Sequence, residues 1–239
     1  MNIKKNISWI YFVSKRFSAV DSKGKGGVTS ILSALGICFG VLTLIVTMAV
    51  MNGFQSGFIN SILEISSFHV RVNPENIESV EPLIAHLSSS PEVQSVVPFF
   101  EAQSLVTGKG GRQQGALLRF IPSSMLSLDT GFASEINLLS GSFDLSGKKI
   151  VIGSALAKNL GVHLGDSVNL FALSGDGNVD LFSSDRVFEV SGIFYCDYNE
   201  INQTFAFMSL EEGYSIFGET QIPTIGVKLH NSQRDAFFI

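Results

Sequence analysis

The positions of hydrophobic and polar residues divide the chain into two parts. Between Lys25 and Glu64 no side chain is charged, and residues 28–51 form an apolar run whose polar members are only Ser and Thr. About 20 consecutive apolar residues cross the hydrocarbon core of a bilayer. The run therefore predicts a transmembrane helix over 28–51, with a helical continuation to about residue 65.

A cleavable signal peptide is the main alternative for this run, because it also combines a basic flank with an apolar stretch. Its hydrophobic region is normally about 7–15 residues long and ends in a small-x-small cleavage site. The present run is longer, and Ala49-Val50-Met51 places a bulky residue where a small one is needed. We therefore favour a helix that stays in the membrane.

From Phe68 onward the pattern changes to short alternations and short helical periods. Few helices among mostly antiparallel strands are typical of an α+β domain, so the chain is predicted to be membrane-anchored α+β, with a mixed, mostly antiparallel domain over 68–239. Phenylalanines at alternating strand positions (Phe188, Phe194, Phe205 and Phe207) are interpreted as core residues. Strands are predicted at 68–73, 93–97, 99–107, 115–121, 149–152, 167–173, 186–194, 204–209 and 224–229, helices at 77–88, 154–160 and 210–217, and irregular structure at 122–147.

The charge is distributed unevenly along the chain. Residues 1–27 carry six basic groups and one acidic group, a balance of +5, which leaves −10 for the rest of a chain whose formal charge is −5. Excess Lys and Arg on one flank of a span marks its cytoplasmic side. We expect a cytoplasmic segment at 1–27 and, in a bacterial inner membrane, a periplasmic location for everything after about residue 55. Apolar residues interleaved with bases before the span fit an interfacial helix or a plain positive-inside anchor.

The search for catalytic and metal-binding motifs excludes several classes of protein. The chain has no phosphate-binding loop, nucleophile elbow, HExxH or CxxC. Its two cysteines, Cys38 and Cys196, are too few for a disulfide scaffold. The four histidines lie far apart in the sequence. We therefore predict no catalytic residues, no metal site and no cofactor bound by this chain. A single-pass enzyme with an unrecognised active site is the alternative.

Two segments are candidates for contacts with other proteins. Gly36 and Gly40 form a GxxxG pattern inside the predicted span, and small residues of this kind let a second helix approach closely. Residues 172–185 join two predicted strands through an acidic connection with apolar residues, which indicates either a docking hairpin or an ordinary long hairpin. Its apolar residues are Leu173, Val179, Leu181 and Phe182.

Several landmarks, taken together, give the chain a family resemblance. It resembles the lipoprotein-releasing permeases of the Lol ABC transport system, which belong to the MacB/FtsX-type class of membrane subunits. The block Met51-Asn52-Gly53-Phe54 is fairly specific to the lipoprotein-releasing branch, whereas the later landmarks recur across the class. The landmarks are residues 27–31, 35–41, 49–55, 62–63, 98–101, 117–121, 150–157, 160–162, 165–166 and 190–194.

The resemblance implies a function that the residues by themselves do not show. A permease of this family extracts acylated lipoproteins from the inner membrane and passes them to a periplasmic carrier. Its partners would be an ABC ATPase that binds ATP and Mg, a sister or identical permease subunit, the lipoprotein, a carrier and membrane lipid, with no nucleic acid. Gly36 and Gly40 would pack against sister helices. The residues expected to line the substrate cavity are Thr47, Met48, Val50, Met51, Phe54 and Phe58.

Two departures from the family pattern bear on this prediction. Family permeases carry further transmembrane helices after the periplasmic domain, so we expect the chain to be a truncated permease, a fragment or one part of a split gene. The segment 172–185 occupies the place of the family's carrier-binding hook but contains no proline. The alternative functions are an efflux or mechanotransmission subunit of the same class, or a single-pass periplasmic binding or regulatory protein.

Overall fold

The computed structural model describes residues 3–18, 26–172, 186–218 and 221–230, and the chain divides into two compact units, Met1–Ser56 and Gly57–Ile239. The first unit contains helix α1 (Ile3–Ser18) and most of helix α2 (Gly26–Ser61). Within α2, residues Thr29–Phe54 are long and apolar enough to cross a membrane, and no residue of this segment is buried inside the protein. This agrees with the predicted span.

Two threonines show how α2 accommodates polar groups in an apolar segment. The hydroxyl of Thr43 donates to the carbonyl of Phe39 at 2.8 Å, and that of Thr47 donates to the carbonyl of Thr43 at 2.7 Å. A hydroxyl that bonds four residues back needs no other partner in hydrocarbon. The threonines are therefore compatible with a membrane environment.

The second unit is a mixed domain built on nine strands among its described residues. Two strand pairs are parallel and the others are antiparallel, as expected for the predicted α+β class. The elements in chain order are β1 (Val70–Val72), α3 (Val80–Ser88), β2 (Val93–Thr107), β3 (Gln113–Ile121), α4 (Met125–Leu128), α5 (Thr130–Glu135), β4 (Asn137–Gly141), β5 (Lys149–Gly153), α6 (Ser154–Leu160), β6 (Ser167–Ala172), β7 (Val187–Tyr195), α7 (Asn199–Thr204), β8 (Phe205–Ser209), α8 (Leu210–Phe217) and β9 (Thr224–Leu229).

The long strand β2 belongs to two sheets. Its first half pairs with β9, which in turn pairs with β1. Its second half enters a closed ring of six strands in the order β2, β3, β8, β5, β7, β6 and back to β2. Ring closure removes free strand edges. Strand β4 continues outward from β7.

Three apolar clusters make up the core. One fills the ring, a second lies on the opposite face of β2, β8 and β7, and a third packs α3 against β9. The four phenylalanines predicted to be core residues are all buried. The helix predicted over 154–160 is also confirmed as α6, which is capped by Gly161 with φ 68°.

Three predictions of local structure were wrong. The stretch 122–147 is not irregular but contains α4, α5 and β4, the helices being too short for a periodic signal. The separate strands at 93–97 and 99–107 are one strand through Pro98, which is still paired with β9 just before β2 changes partners after Phe99. Because this half of β2 has a partner on one side only, the missing N–H of Pro98 is tolerated. The connection between the predicted strands at 186–194 and 204–209, for which no helix was predicted, contains helix α7.

Candidate functional site

The predicted cavity residues lie on the C-terminal half of the apolar segment of α2. Met48, Val50, Met51 and Phe54 are exposed, as large apolar side chains are when they face lipid or a ligand. Thr47 lies on the same stretch of helix. The side chain of Phe58 lies outside the described part of the chain.

Helical geometry places most of these residues on one face together with smaller ones. At 100° per residue, Gly36, Gly40 and Thr47 point in nearly the same direction as Met51 and Phe54. An added Cβ on Gly36 or Gly40 would meet no atom within 4 Å. The face therefore carries small residues around Gly36 and Gly40 and large side chains at Met51 and Phe54. A neighbouring helix could approach closely only along the part with small residues.

The predicted docking hairpin covers residues 172–185, of which the structure describes only Ala172. Leu173, Val179, Leu181 and Phe182 lie outside the described residues. Within the ranges that are described, no group of three or more His, Cys, Asp or Glu side chains is arranged to hold a metal ion.

A second feature, which the sequence did not reveal, is a charged cluster at the start of the Gly57–Ile239 unit. Residues Ile62–Ser66 form a π-helical turn directly after α2, and the N–H of Ser67 donates to the carbonyl of Ile62 at 2.8 Å. A helix end leaves carbonyls without intrahelical partners and carries a partial negative charge. Cations are therefore expected around this turn.

Basic side chains from three strands bond to the last three carbonyls of the turn. We call this cluster, with its acidic partners, the anchor. Its cations come from β1, β3 and β9, so strands distant in sequence converge on the turn. The bonds run from Lys228 Nζ to the carbonyl of Glu64 at 2.8 Å, from Arg119 to the carbonyl of Ile65 and at 2.6 Å to that of Ser66, and from Arg71 to the carbonyl of Ser66 at 2.9 Å.

Lys228 is neutralised by two carboxylates. Its Nζ lies 2.6 Å from Oδ2 of Asp129 and 2.6 Å from Oε2 of Glu64. Lys228 is 1% exposed and Asp129 is 0% exposed. The other carboxylate oxygen of Asp129 accepts a 3.0 Å hydrogen bond from the N–H of Phe132, which caps α5. Asp129 thus pairs with the lysine by charge through Oδ2 and caps the adjacent helix through its other oxygen.

Arg119 is the other buried cation of the anchor. Its guanidinium donates to Glu101 from Nε at 2.8 Å and lies 5.2 Å from the ring centres of Phe99 and Phe205. Burial lowers the pKa of Arg119, and the charge and hydrogen bond of Glu101 oppose that change. Arg71 lies 3.8 Å from the second Glu101 oxygen. The pairing keeps the buried guanidinium compensated.

The anchor is electrically balanced, and a weak signal for it exists in the sequence. Three cations face three carboxylates, those of Glu64, Glu101 and Asp129. Arg119 and Lys228 each interrupt an otherwise apolar strand, in LLRFI and IGVKL. Lys and Arg are almost never fully buried unless paired, so such interruptions indicate buried partners, although they do not identify them.

Comparison with known proteins assigns the chain to a family. Residues 30–236 match the family described as MacB-like periplasmic core domain. The chain belongs to this family. The match begins inside α2 and includes nearly all of the domain. The family resemblance inferred from the sequence landmarks is thereby confirmed.

The chain is similar to transmembrane proteins of lipoprotein-releasing systems. The chain is 31% identical to LolC of Xylella fastidiosa (strain Temecula1 / ATCC 700964) over 84% of this chain and 49% of the relative. It is 29% identical to LolC of Haemophilus influenzae over 85% of this chain and 51% of the relative, and 24% identical to LolE of that organism over 92% and 54%. The chain spans about half the length of these relatives.

Solved structures of two transporter domains also align with part of this chain. The extracellular domain of the noncanonic ABC-type transporter YknZ from Gram-positive bacteria aligns with TM-score 0.46 and 14% identity, over 65% of this chain and 75% of that one. The periplasmic region of MacB from Actinobacillus actinomycetemcomitans aligns with TM-score 0.44 and 17% identity, over 66% of each chain.

Proposed function

We propose that this chain is part of an ABC transporter permease subunit that releases lipoproteins from the inner membrane toward a periplasmic carrier. The observation that carries the proposal is the similarity to LolC, which extends over 84% of the chain at 31% identity. In this proposal ATP is hydrolysed by a separate subunit with bound Mg, and the chain itself has no catalytic residue. A sister or identical permease subunit completes the transporter.

The two halves of the α2 face support a substrate cavity in the outer leaflet. Gly36 and Gly40 would allow close packing with a partner helix, whereas Met51 and Phe54 on the same face would hold the partner away. The space between separated helices would be lined by exposed apolar side chains. Acyl chains are the part of a lipoprotein that such a surface would bind, since apolar burial drives the contact.

Site-specific photocrosslinking in cells that express the full-length permease tests this proposal. A photoreactive amino acid at Met51 or Phe54 is expected to crosslink to lipoprotein, and to lose the product when the lipoprotein cannot be acylated. Ala49 lies on the opposite face at the same depth and serves as the matched control. Equal crosslinking at Ala49, or none at Met51 and Phe54, would contradict the proposed cavity.

The same experiment separates the alternative functions. Crosslinks to unacylated peptides would favour an efflux subunit. The absence of crosslinks to any substrate, lipoprotein or peptide, would favour a mechanotransmission or regulatory role. The Met51-Asn52-Gly53-Phe54 block and the LolC similarity favour lipoprotein release. Carrier binding through residues 172–185 remains a separate prediction, tested by deleting that segment and measuring carrier capture.

A further inference from the structure

The two carboxylates on Lys228 differ in their access to water. Asp129 is fully buried, whereas the side chain of Glu64 is 28% exposed. Both lie 2.6 Å from the same ammonium group. The two carboxylates are therefore equally close to Lys228, but moving each of them away from Lys228 has a different free-energy cost.

Separation of Glu64 leaves no buried charge without a partner. Lys228 keeps the Asp129 carboxylate, and the Glu64 carboxylate moves into water, where it is well solvated. Separation of Asp129 would instead strand a carboxylate in the core, which is strongly unfavourable. Glu64 is therefore the one member of this triad that can leave at low cost.

Gly131 provides the space in which the Glu64 carboxylate lies. A Cβ built on Gly131 would lie 1.9 Å from Oε2 of Glu64, far inside van der Waals contact. Gly131 is the second residue of α5 and has no positive φ, so its backbone does not require glycine. The absence of a side chain at this position serves the carboxylate.

We propose that Glu64 is a positioning residue whose carboxylate, seated between Gly131 and Lys228, is the releasable part of the anchor and holds the π-helical turn 62–66 on the domain. Lys228 with Asp129 and Arg119 with Glu101 form its permanent part. The inference deepens the proposed function, on which it rests for its role in transport, because turn 62–66 directly follows the helix proposed to line the cavity. A turn of π-helix is rare and frequently lies at a functional site.

Hydrogen exchange of the full chain in nanodiscs tests the inference without any transport substrate. Gly131→Ala displaces the Glu64 carboxylate without removing a charge, and Glu64→Ala removes it directly. Each is expected to speed exchange of amides 62–67 by about 10- to 100-fold, since one hydrogen bond to a charged group is lost. The double variant should exchange no faster than either single variant, because both substitutions break the same contact.

A surface pair provides the matched control. Asp144 lies 2.5 Å from Lys149 and both are partly exposed, so Asp144→Ala should leave amides 62–67 unchanged. Unchanged exchange in the two single variants would overturn the inference, as would additive effects in the double variant. Faster exchange throughout β3 and β9 would also overturn it, because Glu64 would then support the whole core. None of these outcomes depends on lipoprotein, so they are distinguishable from failure of the proposed function.

Discussion

Replacement of Lys228 by Met is the most direct test of the anchor. Met preserves an unbranched apolar stem of similar length but removes the ammonium group. The Asp129 carboxyl then lies at 0% exposure with no cation within reach of Oδ2 in the described structure. The Glu64 carboxylate escapes to water, so the cost arises mainly at Asp129.

The magnitude follows from the stranded carboxylate. Removing one partner of a buried ion pair costs about 3–5 kcal/mol. For a unit of this size each kcal/mol corresponds to roughly 2–4 °C in melting temperature, so the expected decrease is about 6–20 °C. Adding Asp129→Asn should restore about 1–3 kcal/mol, because Asn is uncharged and still accepts the helix-capping bond from Phe132.

Labelling of Cys196 measures this unfolding in the full chain. Its thiol is fully buried in the domain, and Cys38, the other thiol, is exposed on α2 and can be replaced by Ala. Labelling at increasing denaturant then reports the free energy of unfolding of the domain. Lys149→Met is the control, since a partly exposed pair contributes about 0–1 kcal/mol.

Two results would refute the reasoning. A cost below about 1 kcal/mol for Lys228→Met would mean that Asp129 is not held as a buried ion. A further loss on adding Asp129→Asn, rather than a recovery, would mean that the carboxylate is stabilised by something other than the lysine.

Three further predictions concern other parts of the chain. Burial raises the pKa of the Cys196 thiol to about 11, above its usual 9.0, so the folded state holds the thiol proton more tightly than the unfolded state. The contribution of this thiol to stability is complete below pH 9.0 and should fall by roughly 2–3 kcal/mol as the pH rises to about 11. Cys196→Ala should abolish this loss in denaturation curves of the two proteins followed by circular dichroism rather than by thiol labelling. Asn202 is buried; its side chain accepts from the N–H of Cys196 at 2.9 Å and donates to the carbonyl of Cys196 at 2.7 Å. Asn202→Ala should therefore lower the free energy of unfolding by about 2–4 kcal/mol, measured by Cys196 labelling in denaturant. Asn137 is exposed, so Asn137→Ala should lower it by under about 0.5 kcal/mol. Trp9, the only tryptophan in the sequence, is exposed on α1. If residues 1–27 are interfacial, the fluorescence emission of Trp9 should shift to shorter wavelength in anionic vesicles and be quenched by lipids brominated near the headgroup. Emission typical of tryptophan in water would exclude the interfacial helix.

Local features of the fold were predictable because their signals are local. The apolar run of α2 needs no partner to be recognised, since its length alone matches a bilayer. The stop of α6 at Gly161 and the glycine-rich connection between β2 and β3 follow from backbone preferences of single residues. The short helices α4, α5 and α7 escaped prediction because 4 to 6 residues are too few to show a helical period.

The candidate site divides in the same way. The stripe from Gly36 to Phe54 depends only on the 100° step of one helix, so its residues could be chosen from the sequence. The position of the Glu64 carboxylate beside Gly131 could not be predicted from the sequence. Nothing in the sequence distinguishes a glycine that leaves space for a neighbour from one that allows a turn. The role of Gly131 is visible only once the carboxylate is found where a Cβ would lie.

By itself the sequence determined the apolar helix, the α+β class and the family, and it predicted the direction of the membrane segment, since hydrophobic runs, charge asymmetry and ordered landmarks are properties of neighbouring residues. Only the tertiary structure decided which charges meet. Lys228 and Glu64 are 164 positions apart, and Arg119 and Ile65 are 54 apart. Pairing over such distances depends on how the strands close into a ring and on the low dielectric of the interior, which makes each buried charge find its partner.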